Sequence, residues 1–201
     1  LNIGNNRYAG VNPANGDALW LTKEGEVTTE FNESDKVMIG KSYIAPWQGG
    51  FGTTLQWRGL SVSAQFSWVA DRWMFNNDRF FEESNGLYST YNQSRRLLYD
   101  RWKQPGDITD IPRYGVTPQM DSRFLEDASF LRLKNLMLSY ALPSKLLRRS
   151  KFFSSVRIYL QAQNLFTFTA FSGIDPEGSS NVYKAQYPMS RQYSVGIDLS
   201  F

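Results

Sequence analysis

The 201-residue chain contains neither cysteine nor histidine. The first absence excludes a disulfide framework and thiol chemistry, and the second removes the commonest metal ligand and general base at neutral pH. No apolar run approaches the roughly 18 residues that a spanning helix needs. Mean hydropathy is −0.44, and a helical membrane protein is excluded. Leu1-Asn2-Ile3-Gly4 carries neither a basic n-region nor an apolar h-region, so no signal peptide is visible. A net charge of +3 is ordinary surface balance, and no nucleic-acid partner is expected. Aromatic residues are plentiful: at 15% they suit interfacial girdles or a sugar-stacking surface.

The clearest pattern closes the chain. From Tyr193 every odd position is apolar (Tyr193, Val195, Ile197, Leu199, Phe201), and Ser194, Gly196, Asp198 and Ser200 alternate with them. Successive strand side chains point to opposite faces, so one face is wholly apolar and the other suits water. Extended, residues 191–201 rise about 34 Å, which at a tilt of about 40° matches the roughly 25 Å apolar band of an outer-membrane barrel. Arg191 shares the apolar parity. A charge facing lipid costs about 2–4 kcal/mol at the midplane and little at the interface, which places Arg191 at a rim.

Residues 50–69 read as a hairpin. Phe51, Thr53, Leu55 and Trp57 alternate with polar or minimal residues, as do Leu60, Val62, Ala64, Phe66 and Trp68, and the parity flips across Arg58-Gly59. A two-residue turn requires that flip, because its flanking residues face each other on one side of the sheet. Residues 128–142 are a strand with a defect. Leu131 and Leu133 hold one parity and Leu136, Leu138, Tyr140 and Leu142 the other, as a β-bulge near Lys134-Asn135 would produce, or as follows if the upper part of the strand lies above the bilayer. Residues 144–153 form a basic connection to a strand over 154–171, where Asn164 is the single polar residue on the apolar face.

The remaining stretches read as loops. Residues 1–49 are rich in Asn, Gly, Glu and Thr, with turn chemistry at 12–17; Asp17 and Glu24 lack the spacing of a calcium loop. Residues 70–127 lose the alternation, as long extracellular loops of barrels do, with a short helix expected within 94–102. Trp73, Phe80, Phe81, Tyr88, Tyr91 and Trp102 are the candidate contacts to ligand or partner. Adjacent Glu82-Glu83 is no glycosidase pair, since two working carboxylates must flank a bond from separate positions. No catalytic, cofactor or metal residues are expected.

Several motifs in order carry a resemblance. Phe124-Leu-Glu-Asp-Ala-Ser-Phe-Leu-Arg-Leu-Lys-Asn-Leu, Tyr140-Ala-Leu-Pro, Gln163-Asn-Leu-Phe, Gly173-Ile-Asp-Pro-Glu and the closing run from Tyr187 to Phe201 resemble the C-terminal end of the SusC/RagA family of TonB-dependent outer-membrane transporters. Tyr8-Ala-Gly-Val-Asn-Pro-Ala-Asn-Gly-Asp and Arg101-Trp-Lys-Gln-Pro-Gly-Asp-Ile-Thr-Asp-Ile-Pro-Arg fit as well. The resemblance implies a Bacteroidetes barrel of about 22 strands with an N-terminal plug and TonB box, neither of which this sequence contains. It also implies a SusD-like surface lipoprotein as partner, TonB-ExbB-ExbD as the energy source, and import of oligosaccharides or peptides. A C-terminal aromatic strand read by the insertion machinery makes Tyr193, Val195, Ile197, Leu199 and Phe201 a candidate assembly signal.

The expected fold is all-β: residues 1–201 as the C-terminal arc of the barrel, with five to six antiparallel strands, residues 1–8 being the possible sixth. Phe201 would lie at the periplasmic side and the long loops outside, and the outer face would meet outer-membrane lipid. The alternative is a soluble all-β glycan-binding module, or the β domain of a glycan-active enzyme, in which one strand face closes a core against a second sheet.

Overall fold

The computed structural model describes residues 2–88, 90–148, 152–178, 180–184 and 186–201. In chain order it contains β1 (Asn2–Asn5), β2 (Arg7–Val11), β3 (Ala18–Leu21), β4 (Val27–Thr28), β5 (Val37–Ser42), β6 (Trp47–Trp57), β7 (Leu60–Ala70), β8 (Trp73–Asn76), α1 (Asn77–Glu82) and α2 (Arg96–Tyr99). There follow β9 (Leu125–Asp127), β10 (Phe130–Ala141), α3 (Ser144–Leu147), β11 (Ser155–Thr169), β12 (Val182–Tyr183) and β13 (Gln192–Ser200). Pro46–Ala70, Ser129–Ala170 and Tyr187–Phe201 form a sheet unit, and Leu1–Ala45, Asp71–Ala128 and Phe171–Gln186 form a loop unit.

The sheet unit is one antiparallel sheet in the order β13-β11-β10-β7-β6. The expected hairpin is β6 and β7, joined by Arg58 (φ 48°) and Gly59 (φ 87°). Two successive left-handed residues make a type I′ turn, whose twist matches that of the strands. Gly59 is needed on a second ground, because a Cβ there would stand 2.7 Å from the Ala141 carbonyl oxygen.

Register lines up the apolar positions of all five strands. Trp57, Leu60, Tyr140, Ile158 and Ile197 form one row, and Leu55, Val62, Leu138, Leu160 and Val195 the next. Farther along lie Thr53, Ala64, Leu136, Ala162 and Tyr193, then Phe51, Phe66, Leu133 and Phe166. The alternate face carries Thr54, Ser63, Met137, Gln161 and Ser194 in one row, with Gln56, Ser61, Ser139, Tyr159 and Gly196 in another. The apolar rows are open: Leu55 is 67% exposed and Val195 76%. A contiguous patch of that extent marks a surface made for lipid or another apolar partner.

The bulge forms where the parity switch places it. Leu133 pairs with Phe66 and Asn135 with Gln65, so Lys134 is one residue extra relative to β7. On the other side Leu133 pairs with Phe166 and Asn135 with Gln163, so Asn164 and Leu165 oppose Lys134 alone. The expectation that Asn164 interrupts the apolar face is corrected here. It lies in the irregularity with φ 53°, and its Nδ2 donates to the Ser190 carbonyl at 3.1 Å. Arg191 falls just outside β13, which begins at Gln192.

The five strands agree with the lower end of the expected count. Asn2–Asn5 pairs with Val37–Ser42 in a separate two-stranded sheet, so, among the described residues, 2–8 add no sixth member to the five-stranded sheet. Trp47 pairs with Ala70, Val69 with Phe130, and Phe130 with Thr169, so these strand ends share one end of the sheet. The chain departs for the loop unit only from that end. The opposite end carries Arg58-Gly59, the 142–154 connection and Phe201; within that connection Arg149, Ser150 and Lys151 lie outside the described residues.

The loop unit corrects the reading of residues 1–49 and 70–127 as loop. β2, β3 and β4 form one three-stranded sheet and β12, β8 and β9 another. Their strands have two to five residues, too few for a period of two to stand out. The turn at 12–17 forms as expected, closed by Gly16 N–H to the Asn12 carbonyl at 2.8 Å. The helix expected within 94–102 is the single turn α2, while α1 was not anticipated.

Gly196 supplies a test of the sheet. A Cβ there would lie 2.3 Å from the Tyr159 ring, which covers the glycine on the polar face. Gly196→Val should destabilise the folded protein by about 1–3 kcal/mol through overpacking. Pairing it with Tyr159→Ala should restore part of the loss in denaturant unfolding of the full-length protein. Strict additivity of the two substitutions would refute the contact.

Candidate functional site

The loop unit is built on aromatic packing. Asn76 caps α1, its Oδ1 accepting from the Arg79 N–H at 3.1 Å, and the helix then turns Phe80 inward. Phe80 meets Phe124 edge-on at 5.4 Å and Phe75 at 6.4 Å. Arg79 and Glu83, four apart, share the helix side that faces α2 and β9 through their partners.

Glu83 is 1% exposed, and its Oε1 accepts from Arg79 Nε at 2.9 Å and from Arg96 Nη1 at 2.6 Å. Arg79 also reaches Glu126 and Asp110, both at 3.1 Å, and Arg96 holds both Asp110 oxygens at 2.7 and 2.8 Å. Glu126 in turn accepts from the Ser172 N–H and hydroxyl at 2.9 and 2.8 Å. Two arginines and three carboxylates thereby tie α1, α2, residue 110, β9 and the start of the 171–186 segment together. A buried charge is tolerable only when paired and hydrogen-bonded in this way.

The titration of neighbouring acids differs in sign. Burial pushes Asp110 up, but the Arg96 hydrogen bonds and the Arg96 and Arg79 charges outweigh it and hold its carboxyl below the usual range. Its contribution to stability is therefore present above the unfolded value of about 3.9 and lost as pH falls through the lowered folded value. Burial raises Asp121, which accepts from Trp20 Nε1 at 2.7 Å. Its contribution is full below about 3.9 and lost as pH rises through the raised value. Burial likewise raises the Tyr8 hydroxyl.

Smaller clamps shape the rest. The Arg72 guanidinium donates to the carbonyls of Pro176, Gly178 and Ser180, gathering the Gly173-Ile-Asp-Pro-Glu segment. Asn85, buried with φ 56°, donates to the carbonyls of Pro112, Arg113 and Val116. Asp17, weighed as a calcium ligand, is instead held by Arg113 Nε at 2.9 Å. Among the described residues no group of three or more acidic side chains is placed to hold a metal ion.

The candidate contact residues separate into three places. Phe81, Tyr88 and Tyr91 come together, with ring centroids 5.0 Å apart for Phe81 and Tyr88 and 6.0 Å for Phe81 and Tyr91. Tyr91 is 59% exposed, whereas Phe80 beneath them is buried and supports the cluster. Trp73 lies under the Lys41 ammonium at 4.0 Å. Trp102 covers Gly16 and donates to the Pro13 carbonyl at 3.1 Å. An open cleft of about 670 Å³, lined by Arg96, Tyr99, Asp100, Arg101, Lys103 and Asp107, was missed in the sequence. Its charged residues belong to a one-turn helix and an irregular segment with no period to betray a shared surface. In the sheet unit Tyr193, Val195, Ile197 and Leu199 are exposed on the apolar face, and Phe201 stands 5.3 Å from Phe153.

An exposed apolar face across five strands, a polar face behind it whose Arg157 and Asp198 pair with each other, and outer edges at β6 and β13 that are unpaired among the described residues define a segment of a transmembrane β-barrel that does not close by itself. Comparison with known proteins agrees. No protein-family model matches the chain. It is 27% identical over 194 residues to TonB-dependent receptor P3 of Formosa agariphila, covering 90% of this chain and 18% of that receptor. It is 32% identical over 89 residues to TonB-dependent receptor SusC of Bacteroides thetaiotaomicron, covering 43% of this chain and 9% of SusC. The structure of the RagAB peptide transporter superposes on the whole chain with a TM-score of 0.92 and 40% identity, over 23% of the transporter chain. The proteins that the chain resembles are thus TonB-dependent receptors of the SusC and RagA kind, and it spans under a quarter of the length of those relatives.

The ion network makes a sharp prediction. Glu83→Ala removes the buried carboxylate that Arg79 and Arg96 share while leaving them Asp110 and Glu126, and should cost about 1–3 kcal/mol. The loss should show as faster hydrogen exchange across residues 71–128, with exchange in β6 and β7 unchanged. Uniform exchange rates in mutant and wild type would contradict the network.

Proposed function

We propose that the chain is an arc of the barrel wall of a TonB-dependent importer that carries nutrient oligomers across the outer membrane beneath a SusD-like surface lipoprotein. The observation that carries this reading is the whole-chain, 40% identical match to a peptide transporter, joined to an apolar face continuous over five strands. Peptide is the favoured cargo, since the 32% identity to SusC extends over only 43% of the chain. Oligosaccharide is the other candidate, and the aromatic cluster of Phe81, Tyr88 and Tyr91 offers stacking surface to either. TonB, ExbB and ExbD would act through a part of the polypeptide outside these 201 residues.

The arc needs the rest of its barrel. An open edge in hydrocarbon leaves backbone N–H and C=O groups unpaired at several kcal/mol each, so β6 and β13 must each meet another strand of the same barrel. In this reading Phe201 and Arg58-Gly59 lie at the periplasmic end, and residues 71–128 and 171–186 are extracellular. Trp73, Tyr91 and Trp102 are then available to the lipoprotein or the cargo.

Two measurements test the proposal. Cysteine at Tyr91 or Tyr187 should react with an impermeant maleimide on intact cells, and cysteine at Arg58 should not; the reverse pattern would sink the orientation. The terminal strand also serves as an assembly signal through Tyr193, Val195, Ile197, Leu199 and Phe201. Phe201→Ser should lower the amount of heat-modifiable barrel in the outer membrane without reducing synthesis, and an unchanged band would count against that role.

A further inference from the structure

We infer that the end of the sheet where residues 144–148, 152–154 and Phe201 lie seats one glycerophospholipid from the adjoining membrane leaflet. The inference rests on the barrel reading above. At this end Leu147, Arg148, Phe152, Phe153 and Phe201 line an open cavity of about 360 Å³. Leu147 is buried, while Phe152 and Phe201 remain 77% and 85% exposed. Aromatic walls beside the Arg148 guanidinium match a molecule that joins an acyl chain to a phosphate ester. The guanidinium presents paired N–H donors to phosphate oxygens, and the rings receive the first methylenes of the chain.

Two further observations select a lipid. The first is charge. No aspartate or glutamate occurs between Asp127 and Asp175, whereas Lys145 and Arg148 stand within four residues of each other on this connection. Such a basic stretch at a membrane surface attracts anionic lipid head groups, by about 1 kcal/mol per cation. The second is continuity. Val156 pairs with Leu199, and Phe201, which lines the cavity, shares the parity of Leu199 and Ile197 and so follows the apolar rows of the wall in sequence. An acyl chain lying along those rows would end beside Phe201. A free phosphate ion would use Arg148 and leave the rings wet.

The test uses the full-length protein purified in mild detergent, with retained phospholipid counted by native mass spectrometry. Micelles containing phosphatidylethanolamine or phosphatidylglycerol serve as the probe. Wild type should retain one lipid that Arg148→Glu and Phe152→Ser each retain about tenfold less well, as loss of one charge-assisted contact requires. Arg148→Lys should retain it at an intermediate level, and excess inorganic phosphate should not displace it. Equal retention by wild type and both weakened variants, or displacement by phosphate, would overturn the seat. Import-competent protein that holds no lipid sinks this inference alone, whereas protein absent from the outer membrane sinks the barrel reading.

Discussion

Everything in the sheet unit depends on the backbone. A strand in contact with lipid has no water to satisfy its N–H and C=O groups, so each must find a partner on the next strand. That requirement fixes strand direction and spacing, and side-chain parity follows from it. Once Trp57 is opposite Leu60 across Arg58-Gly59, the positions facing lipid are settled for both strands, and pairing with β10, β11 and β13 passes the choice across the sheet. The open apolar rows are the visible result, and an aqueous sheet would have buried them.

The loop unit solves a different problem. Its strands are short and its segments come from distant parts of the chain, so backbone pairing alone holds little. Aromatic packing around Phe75, Phe80 and Phe124 supplies the core, and the Arg79-Glu83-Arg96 group supplies direction. Apolar contacts are tolerant of rotation; two arginines sharing one buried carboxylate are not. The exposed face of the Phe81, Tyr88 and Tyr91 cluster is held in place by both.

How much of this could be read from residues alone follows from element length. The long strands announced themselves, since eleven residues in β6 repeat the period of two often enough to be unmistakable. The Lys134 bulge was legible because an odd insertion swaps the faces of β10. The irregularity in β11 was not, because Asn164 and Leu165 amount to two residues and return the parity to where it was, leaving Asn164 to look like a polar intrusion. β2, β3 and β4 were hidden by their shortness, and the buried role of Glu83 by the distance in sequence to Arg96. Phe80 was recognised as aromatic, but only the packing of Phe124 against it decides that it lies inside.

The contrast between β10 and β11 bears on how such walls change over evolutionary time. A single inserted residue exchanges lipid-facing and lumen-facing side chains for the rest of the strand, so it survives only if the remaining sequence is rewritten to match, as Leu136, Leu138 and Tyr140 are relative to Leu131 and Leu133. A paired insertion leaves both faces intact and demands only a local kink, here one that Asn164 accommodates in the left-handed region. Selection should therefore pass insertions of two far more readily than insertions of one. Related barrels should differ in strand length mostly by even numbers.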